Sequence, residues 1–581
     1  MPRATIIGNV RAGRIAEANP DYSSAQIDGW LREGSACTVE VVVIKPTGAE
    51  TSLGQKTVTG AEWVKLAIAA LDADDRVQVR YVSGDGMIQA RCRQPASVVT
   101  TDTDPVTGRI RNIAGGTWSY PETSQAAKFR RAVASAIARN PNARLPWVAP
   151  AAWATGQVIQ KGEVRANAGQ WYAAHISGTT SASGSGPTST KSGAEIADGS
   201  VKWTWLRAAP MASSDTSAPT VTVSTTNPGR AQTLHPVLWP SVYTVLGGVA
   251  SPIRTNFWEI QTFAESSGVQ KCRGAQVAFC TDADVFDIFL LSNAQQSRVI
   301  VIDDLGARYL TPGSIYSPGD SFMTIDWSAT SGVKDRVYIV ETNKSYGWFG
   351  GVRLPAYAQA WAYTPPDDVS LAWISDSFAA GADPGPWIPG NSIPQLFGRE
   401  LGIGNVHNFS TGGTGYVSTG TGFYNYLQRI QDPANAARLA QMDGFVLMGS
   451  TNDTGQSAAA ITANVVSTLT ALRALSKTPD VPIVVFGVPS INVTDRAMIE
   501  SAVASGVQQF ADPHTTFIPI DGATIPWVTG SWNQSSTPSG AATNAGLYVS
   551  YDNTHPPELG NAYYAHRLAQ AWRQSVLGGL F

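Results

Sequence analysis

The sequence predicts a multidomain chain in which a C-terminal α/β/α domain on a parallel sheet follows a β-sandwich, with small β-rich modules ahead of both. Three observations carry this. A chain of 581 residues exceeds what one hydrophobic core holds together, so roughly three to five domains are expected. Its 43% apolar and 15% charged residues, with 55 Gly and 35 Pro, fit a globular, loop-rich and β-heavy chain. Near residue 366 the pattern changes: short alternating strands give way to near-continuous apolar strands separated by helical stretches.

Residues 1–100 read as a small β-rich or α+β module. "CTVEVVVIKP" and "RVQVRYVSGDGMIQARCRQP" alternate as strands do, the second with a Gly-Asp-Gly turn. Between them "TGAEWVKLAIAALDADD" repeats Trp63, Leu66 and Leu71 on one helical face, which predicts a helix. Residues 101–145 form a linker with one helix over about 122–139, bounded by Pro-Glu-Thr and Asn-Pro. Residues 146–208 form a compact aromatic module in which Trp171, Tyr172, Trp203 and Trp205 are either a platform for sugar rings or the core of a domain short of other bulk.

Residues 209–230 are a Ser/Thr/Pro linker, and 231–365 are short strands between Gly/Asp/Asn turns, the pattern of an antiparallel sandwich. From 366 to 581 strands are expected at 369–375, 405–409, 443–449, 481–487 and 516–520. Helices are expected near 392–401, 433–440, 457–476, 494–511 and 557–575. Such a sheet binds ligands at the carboxyl ends of its strands, so the residues just beyond each strand carry the chemistry.

A formal net charge of −3 and a pI near 6.1 give no electrostatic case for nucleic acid or an anionic membrane. No run of 18 apolar residues exists, so no bilayer span is expected. "MPRATIIGNVRAGRIAEANPDY" has no apolar stretch after its basic residues, so no secretory signal is expected. Cys37, Cys92, Cys272 and Cys280 lack C-x-x-C spacing and suit packed, reduced thiols, although Cys272 and Cys280 could pair across neighbouring strands. His175, His235 and His514 have no acidic or cysteine neighbours at ligand spacing; His407 falls in a strand and His566 in the last helix, so neither a metal nor a cofactor is expected.

The strand ends hold Ser375-Asp376-Ser377, "STGGTGY" (410–416), "GSTND" (449–453) and, before the last helix, "YDNTHPPELG" (551–560). Alone, each is ordinary: serine after a strand is usually a cap, and a Gly-rich stretch is usually a turn. Together, and in this order, they meet the needs of acyl transfer. Ser377 is the candidate nucleophile and His555 the candidate base, imidazole being suited to proton shuttling near neutrality. Asp552, three residues before His555, can turn back onto the imidazole. The backbone N–H groups of Ser377 and Gly413 and the Asn452 carboxamide are candidate donors to an oxyanion.

The order Ser, Gly, Asn, Asp-x-x-His resembles the SGNH/GDSL hydrolases over about 368–577, with "ISDSFAAG", "NFSTGGTGY", "MGSTND" and "YDNTHPPELGNAYYAHRLAQAW" as the matching blocks. The resemblance implies a flavodoxin-like fold and ester hydrolysis by a Ser377–His555–Asp552 triad. Ser375 and Ser450 stand where the family keeps glycine. The aromatic module resembles small Trp-rich modules of phage tail proteins and, more distantly, small chitin-binding modules. A sandwich followed by "LAWISDSF" resembles the jelly-roll-plus-SGNH arrangement of carbohydrate acetyl esterases.

These resemblances imply a phage tail fibre or tailspike esterase that removes O-acetyl groups from a bacterial polysaccharide and resides in the virion. Expected partners are the acetylated polysaccharide, other tail proteins and copies of the chain itself, a trimer by analogy with fibres. Nucleic acid and membrane are not expected. Two rivals remain: a non-catalytic glycan-binding fibre, and a general short-chain carboxylesterase or lipase.

Overall fold

The computed structural model describes residues 150–208 and 218–577, apart from 255, 262–273, 291–294, 304–305, 311–312, 314, 318–319, 331–334, 343–345, 366–368, 382–387, 524–526 and 530–543; within 1–149 it describes strand segments. The chain divides into two compact units, Met1–Lys128 and Phe129–Gly579.

In the first unit Ile15–Ala18, Arg76–Asp85, Ala36–Ile44 and Glu50–Thr59 form an antiparallel sheet in that order. Gln89–Arg93 is not the hairpin mate of Arg76–Asp85, because it pairs with Gln26–Trp30 in a second sheet. The other neighbour of Gln26–Trp30 is Trp63–Ala67, which corrects the expected helix there. Over so short an apolar run the helical and strand periods are hard to separate, and a partner strand supplying ladder hydrogen bonds decides the outcome. The helix expected over about 122–139 lies outside the described residues.

The aromatic module is a five-stranded sheet in the order Ala151–Ala152, Val164–Asn167, Gln170–Ile176, Val201–Ala208, Ile196–Asp198. The strand Gln170–Ile176 is buried on both faces. Tyr172 and Ala174 join Ile159, Val201 and Trp203 in one core, while Trp171 and Ala173 join Val164 and Ile388 in another. Ile388 belongs to the C-terminal domain, so the second core spans two domains. Buried Asp198 accepts the indole N–H of both Trp153 (2.7 Å) and Trp203 (3.0 Å), which gives these large apolar side chains a partner for their single donor.

Two antiparallel sheets follow and share one core. One contributes Ile288, Met323, Ile325, Phe349 and Val352; the other contributes Val277, Phe279, Val299, Val301, Tyr338 and Val340. Cys280 is a free, buried thiol whose pKa burial, with a smaller push from Asp335, raises to about 11; Cys272 lies outside the described residues.

Among the described residues the C-terminal domain carries five parallel strands: β1 (Ser370–Ile374), β2 (Asn405–Asn408), β3 (Gly444–Leu447), β4 (Ile483–Phe486) and β5 (Thr515–Ile518). Their spatial order is 2-1-3-4-5. Every one falls within the expected stretch to within a residue or two. The helices are α1 (Ser377–Ala380), α2 (Ile393–Leu401), α3 (Tyr426–Gln431), α4 (Pro433–Leu439), α5 (Ala458–Leu475), α6 (Arg496–Phe510), α7 (Ala545–Tyr548) and α8 (Glu558–Leu577). Of these, α3 and α7 were not anticipated.

Separate apolar clusters cover the two sheet faces: Trp373, Val446 and Val484 pack with α2 and α8 on one side, and Ile374, Leu447 and Val485 pack with α5 and α6 on the other. By length and a mean hydropathy of 1.3, α5 is apolar enough to cross a bilayer, yet Ile461, Val465, Leu469 and Leu472 are buried in that second cluster. The strand order reverses at β1, so the crevice opens at the carboxyl ends of β1 and β3.

Candidate active site

The first crevice loop leaves β1 through Ser375 and Asp376, both fully buried. Asp376 Oδ1 accepts the Phe378 N–H (3.0 Å), which caps α1 and starts the turn that presents Ser377. Ser377 alone is partly exposed within the otherwise buried run 371–380. Burial pushes the Asp376 pKa up to about 6, against the pull of the Phe378 N–H and the nearby His555.

Ser377 Oγ lies 2.7 Å from His555 Nε2, and His555 Nδ1 lies 2.6 Å from Asp552 Oδ2. The other oxygen, Asp552 Oδ1, accepts from the N–H of Thr554 and of His555 (2.9 Å each) and from Ser550 Oγ (3.0 Å). Burial opposes ionisation of Asp552, but the hydrogen bonds from His555 and the Thr554 N–H outweigh it and hold the carboxyl below its ordinary pKa. An ionised carboxylate only accepts, so Nδ1 carries the imidazole proton and Nε2 turns its lone pair toward the serine. The loop closes on itself: the Ser550 N–H donates to the His555 carbonyl (2.9 Å), and Asn553 takes a left-handed φ of 58° at the bend.

The glycine loop after β2 and the loop after β3 are stitched together. Asn452 Nδ2 donates to the Thr414 carbonyl (2.9 Å), one residue beyond Gly413, and Ser418 Oγ donates to the Asn452 carbonyl (2.6 Å). Gly413 is exposed with φ 76°, a conformation favouring glycine. The organiser is buried Asp453. It accepts the N–H groups of Tyr416 (2.8 Å), Val417 (3.1 Å) and Ser418 (2.8 Å) and the Ser450 hydroxyl (2.5 Å). A Cβ on Gly415 would sit 2.5 Å from both Asp453 oxygens, so the loop passes too close for any side chain.

Arg429, buried on α3, joins the glycine loop after β2 to the loop after β1. Its Nη1 donates to the carbonyls of Ser375 (3.0 Å) and Phe409 (2.8 Å), and its Nη2 to Thr414 Oγ1 (2.7 Å) and the Tyr424 carbonyl (3.0 Å). The Thr411 N–H also donates to the Ser375 carbonyl (3.0 Å). Sequence reasoning missed Arg429 and Asp453 as organisers. Asp453 had a signal, its place next to Asn452; Arg429 had none.

The two serines Ser375 and Ser450, which stand where the resembling pattern has glycine, behave differently. Ser450 occupies the left-handed region (φ 75°, ψ 8°), where glycine is at ease, and its hydroxyl bond to Asp453 offsets the strain. Ser375 has no positive φ and contributes its carbonyl rather than a special backbone shape.

The aromatic residues lie elsewhere. Tyr172 and Trp203 are fully buried and Trp171 nearly so, which leaves none of their faces open to a sugar ring. Trp205 is partly buried and donates its indole N–H to Gln170 Oε1 (2.9 Å). The core alternative accounts for them. Among the described residues no group of His, Cys, Asp and Glu has the arrangement of a metal site.

No family model and no curated protein matches the chain. Solved structures do. The salicylyl-acyltransferase SsfX3 from a tetracycline biosynthetic pathway is 14% identical, with 58% of this chain and 96% of that one covered at a TM-score of 0.41. A family two carbohydrate esterase from Cellvibrio japonicus is 13% identical, with 63% and 99% covered at 0.42. Another from Clostridium thermocellum, in complex with cellohexaose, is 15% identical, with 58% and 100% covered at 0.42. Scores and identities this low carry nothing about this chain's own activity.

Proposed function

We propose that the chain is a serine esterase that removes O-acetyl groups from a bacterial surface or extracellular polysaccharide, as part of a phage tail fibre or tailspike. The observation that carries the chemistry is the relay Ser377 Oγ–His555 Nε2 (2.7 Å) and His555 Nδ1–Asp552 Oδ2 (2.6 Å), set at the strand-end crevice. The tail setting rests on the resemblance of the 146–208 module to phage tail modules, and the polysaccharide on the resemblance of a sandwich followed by "LAWISDSF" to the jelly-roll-plus-SGNH arrangement of carbohydrate acetyl esterases.

In the first step Ser377 Oγ bonds to the acetyl carbonyl carbon as His555 Nε2 takes its proton. Asp552 keeps the imidazolium oriented and stabilised. The carbonyl oxygen, now negative, is received by the Ser377 and Gly413 N–H groups and the Asn452 carboxamide. His555 then returns the proton to the sugar oxygen as the carbon–oxygen bond breaks. Water, deprotonated by the freed His555, attacks the acetyl-serine; collapse releases acetate and restores the hydroxyl. The test is acetate released from candidate bacterial polysaccharides by the wild type and by Ser377→Ala. Release by the wild type alone supports the reading, and its absence from every acetylated glycan that retains O-acetyl groups contradicts it.

A further inference from the structure

The catalytic loop rests on the aromatic module. Gly193, in the turn ahead of the strand Ile196–Asp198, accepts the Tyr551 N–H on its carbonyl (3.2 Å), one residue before Asp552. It takes φ +67°, and a Cβ there would lie 2.8 Å from Ser550 Cα, 3.0 Å from the Val549 carbonyl oxygen and 3.2 Å from Pro557 Cγ. The backbones therefore touch with no room for a side chain. The ring of buried His175 stands 5.8 Å from the half-exposed Tyr551 ring, tilted by 43°. Glu558, which opens α8 three residues after His555, accepts the N–H of Ile388, and Ile388 sits in the core formed by Val164, Trp171 and Ala173 of the module.

Ser550 makes this contact consequential. It is buried against Gly193, its N–H and hydroxyl both reach the His555 carbonyl, and the hydroxyl also reaches Asp552 Oδ1 (3.0 Å). A displacement of Ser550 thus reaches both His555 and Asp552 within one hydrogen bond. On the esterase reading given above, we propose that the aromatic module is a positioning element of the active site, with Gly193 and His175 holding the Ser550–His555 loop at the height where His555 meets Ser377. This assigns a catalytic consequence to a domain that the reaction itself never touches. Misplacing a reacting group by about 1 Å can lower the rate about 10²-fold.

The experiment uses the full chain and two readouts: kcat and KM on 4-nitrophenyl acetate, and the rate at which a fluorophosphonate labels Ser377. Gly193→Ala, folded by circular dichroism, is expected to lose about 10²-fold in kcat and in labelling rate with KM within about twofold. His175→Ala, which adds no atoms, is expected to lose about tenfold. Gly186→Ala is the control. Its new Cβ would crowd Trp153 (2.6 Å) in the same module, away from the catalytic loop, and kcat should stay at the wild-type value. If Gly193→Ala does not fold, His175→Ala decides. Wild-type kcat and labelling in the folded variants would overturn the proposal, as would an equal loss in Gly186→Ala. A wild type that neither turns over the ester nor is labelled would instead refute the esterase reading.

Discussion

His555 Nε2 stands 2.7 Å from Ser377 Oγ, 178 residues away in sequence, while its other nitrogen stands 2.6 Å from Asp552. The long-range half of this relay joins the end of β1 to the loop ahead of α8; the short-range half lies within the turn from Ser550 to His555. Asp552→Asn keeps the size of the side chain but removes the charge that selects the imidazole tautomer. The expected loss in kcat on 4-nitrophenyl acetate is about 10⁴-fold with the fold intact. A loss under tenfold would take Asp552 out of the relay.

Asn452→Ala removes a proposed oxyanion donor and the tie to Thr414. The expected loss is about 10²–10³ in kcat, with little change in KM. Asp453→Ala strips the acceptor from three backbone N–H groups and a hydroxyl, and each orphaned group costs roughly 1–3 kcal/mol if left unpaired. It should therefore lower the denaturation midpoint as well as kcat, a combination that Asn452→Ala should not show.

Ser450 separates backbone strain from hydrogen bonding. Ser450→Gly relieves the left-handed strain while losing the bond to Asp453; Ser450→Ala loses the bond and keeps the strain. Ser450→Ala should be the less stable of the two by about 1 kcal/mol or more in urea titration. Equal stability would show that the backbone at 450 is unstrained.

Asp376 fixes a pH dependence. Its folded pKa, raised to about 6, lies above the usual carboxyl value of 3.8, so the folded chain binds the proton more tightly. Its contribution to stability is full below the unfolded value and is lost as pH rises from about 4 to 6, on the order of 3 kcal/mol at most. Asp376→Asn keeps a cap acceptor for Phe378 and removes the titration. The wild type minus Asp376→Asn difference in unfolding free energy should fall over that window, and a flat difference would mean that Asp376 stays ionised in the folded chain.

The C-terminal fold was legible because β1, β3 and β4 are near-continuous apolar runs and α2, α5, α6 and α8 are long enough for the helical period to stand apart. The meeting of Ser377, His555 and Asp552 was legible because Ser377 follows β1 and the other two lie in the loop ahead of the last helix, where an α/β sheet gathers side chains; Gly413 and Asn452 remain proposed donors. Arg429 was not legible: a buried guanidinium that gathers carbonyls from two loops distant in sequence leaves no local pattern. The faces of Trp171 and Tyr172 were ambiguous because neighbours on a strand point to opposite sides, and here both sides are buried. At Trp63–Ala67 five residues suited either period, and the partner strand Gln26–Trp30, distant in sequence, settled the matter.

The most direct measurement of the central claim is the kcat of Ser377→Ala on 4-nitrophenyl acetate, alongside mass-spectrometric mapping of the fluorophosphonate adduct on the wild type. The relay at Ser377 predicts a loss of about 10⁴-fold or more in a folded variant, with the adduct on Ser377. Activity within tenfold of the wild type, or an adduct on another residue, would contradict it.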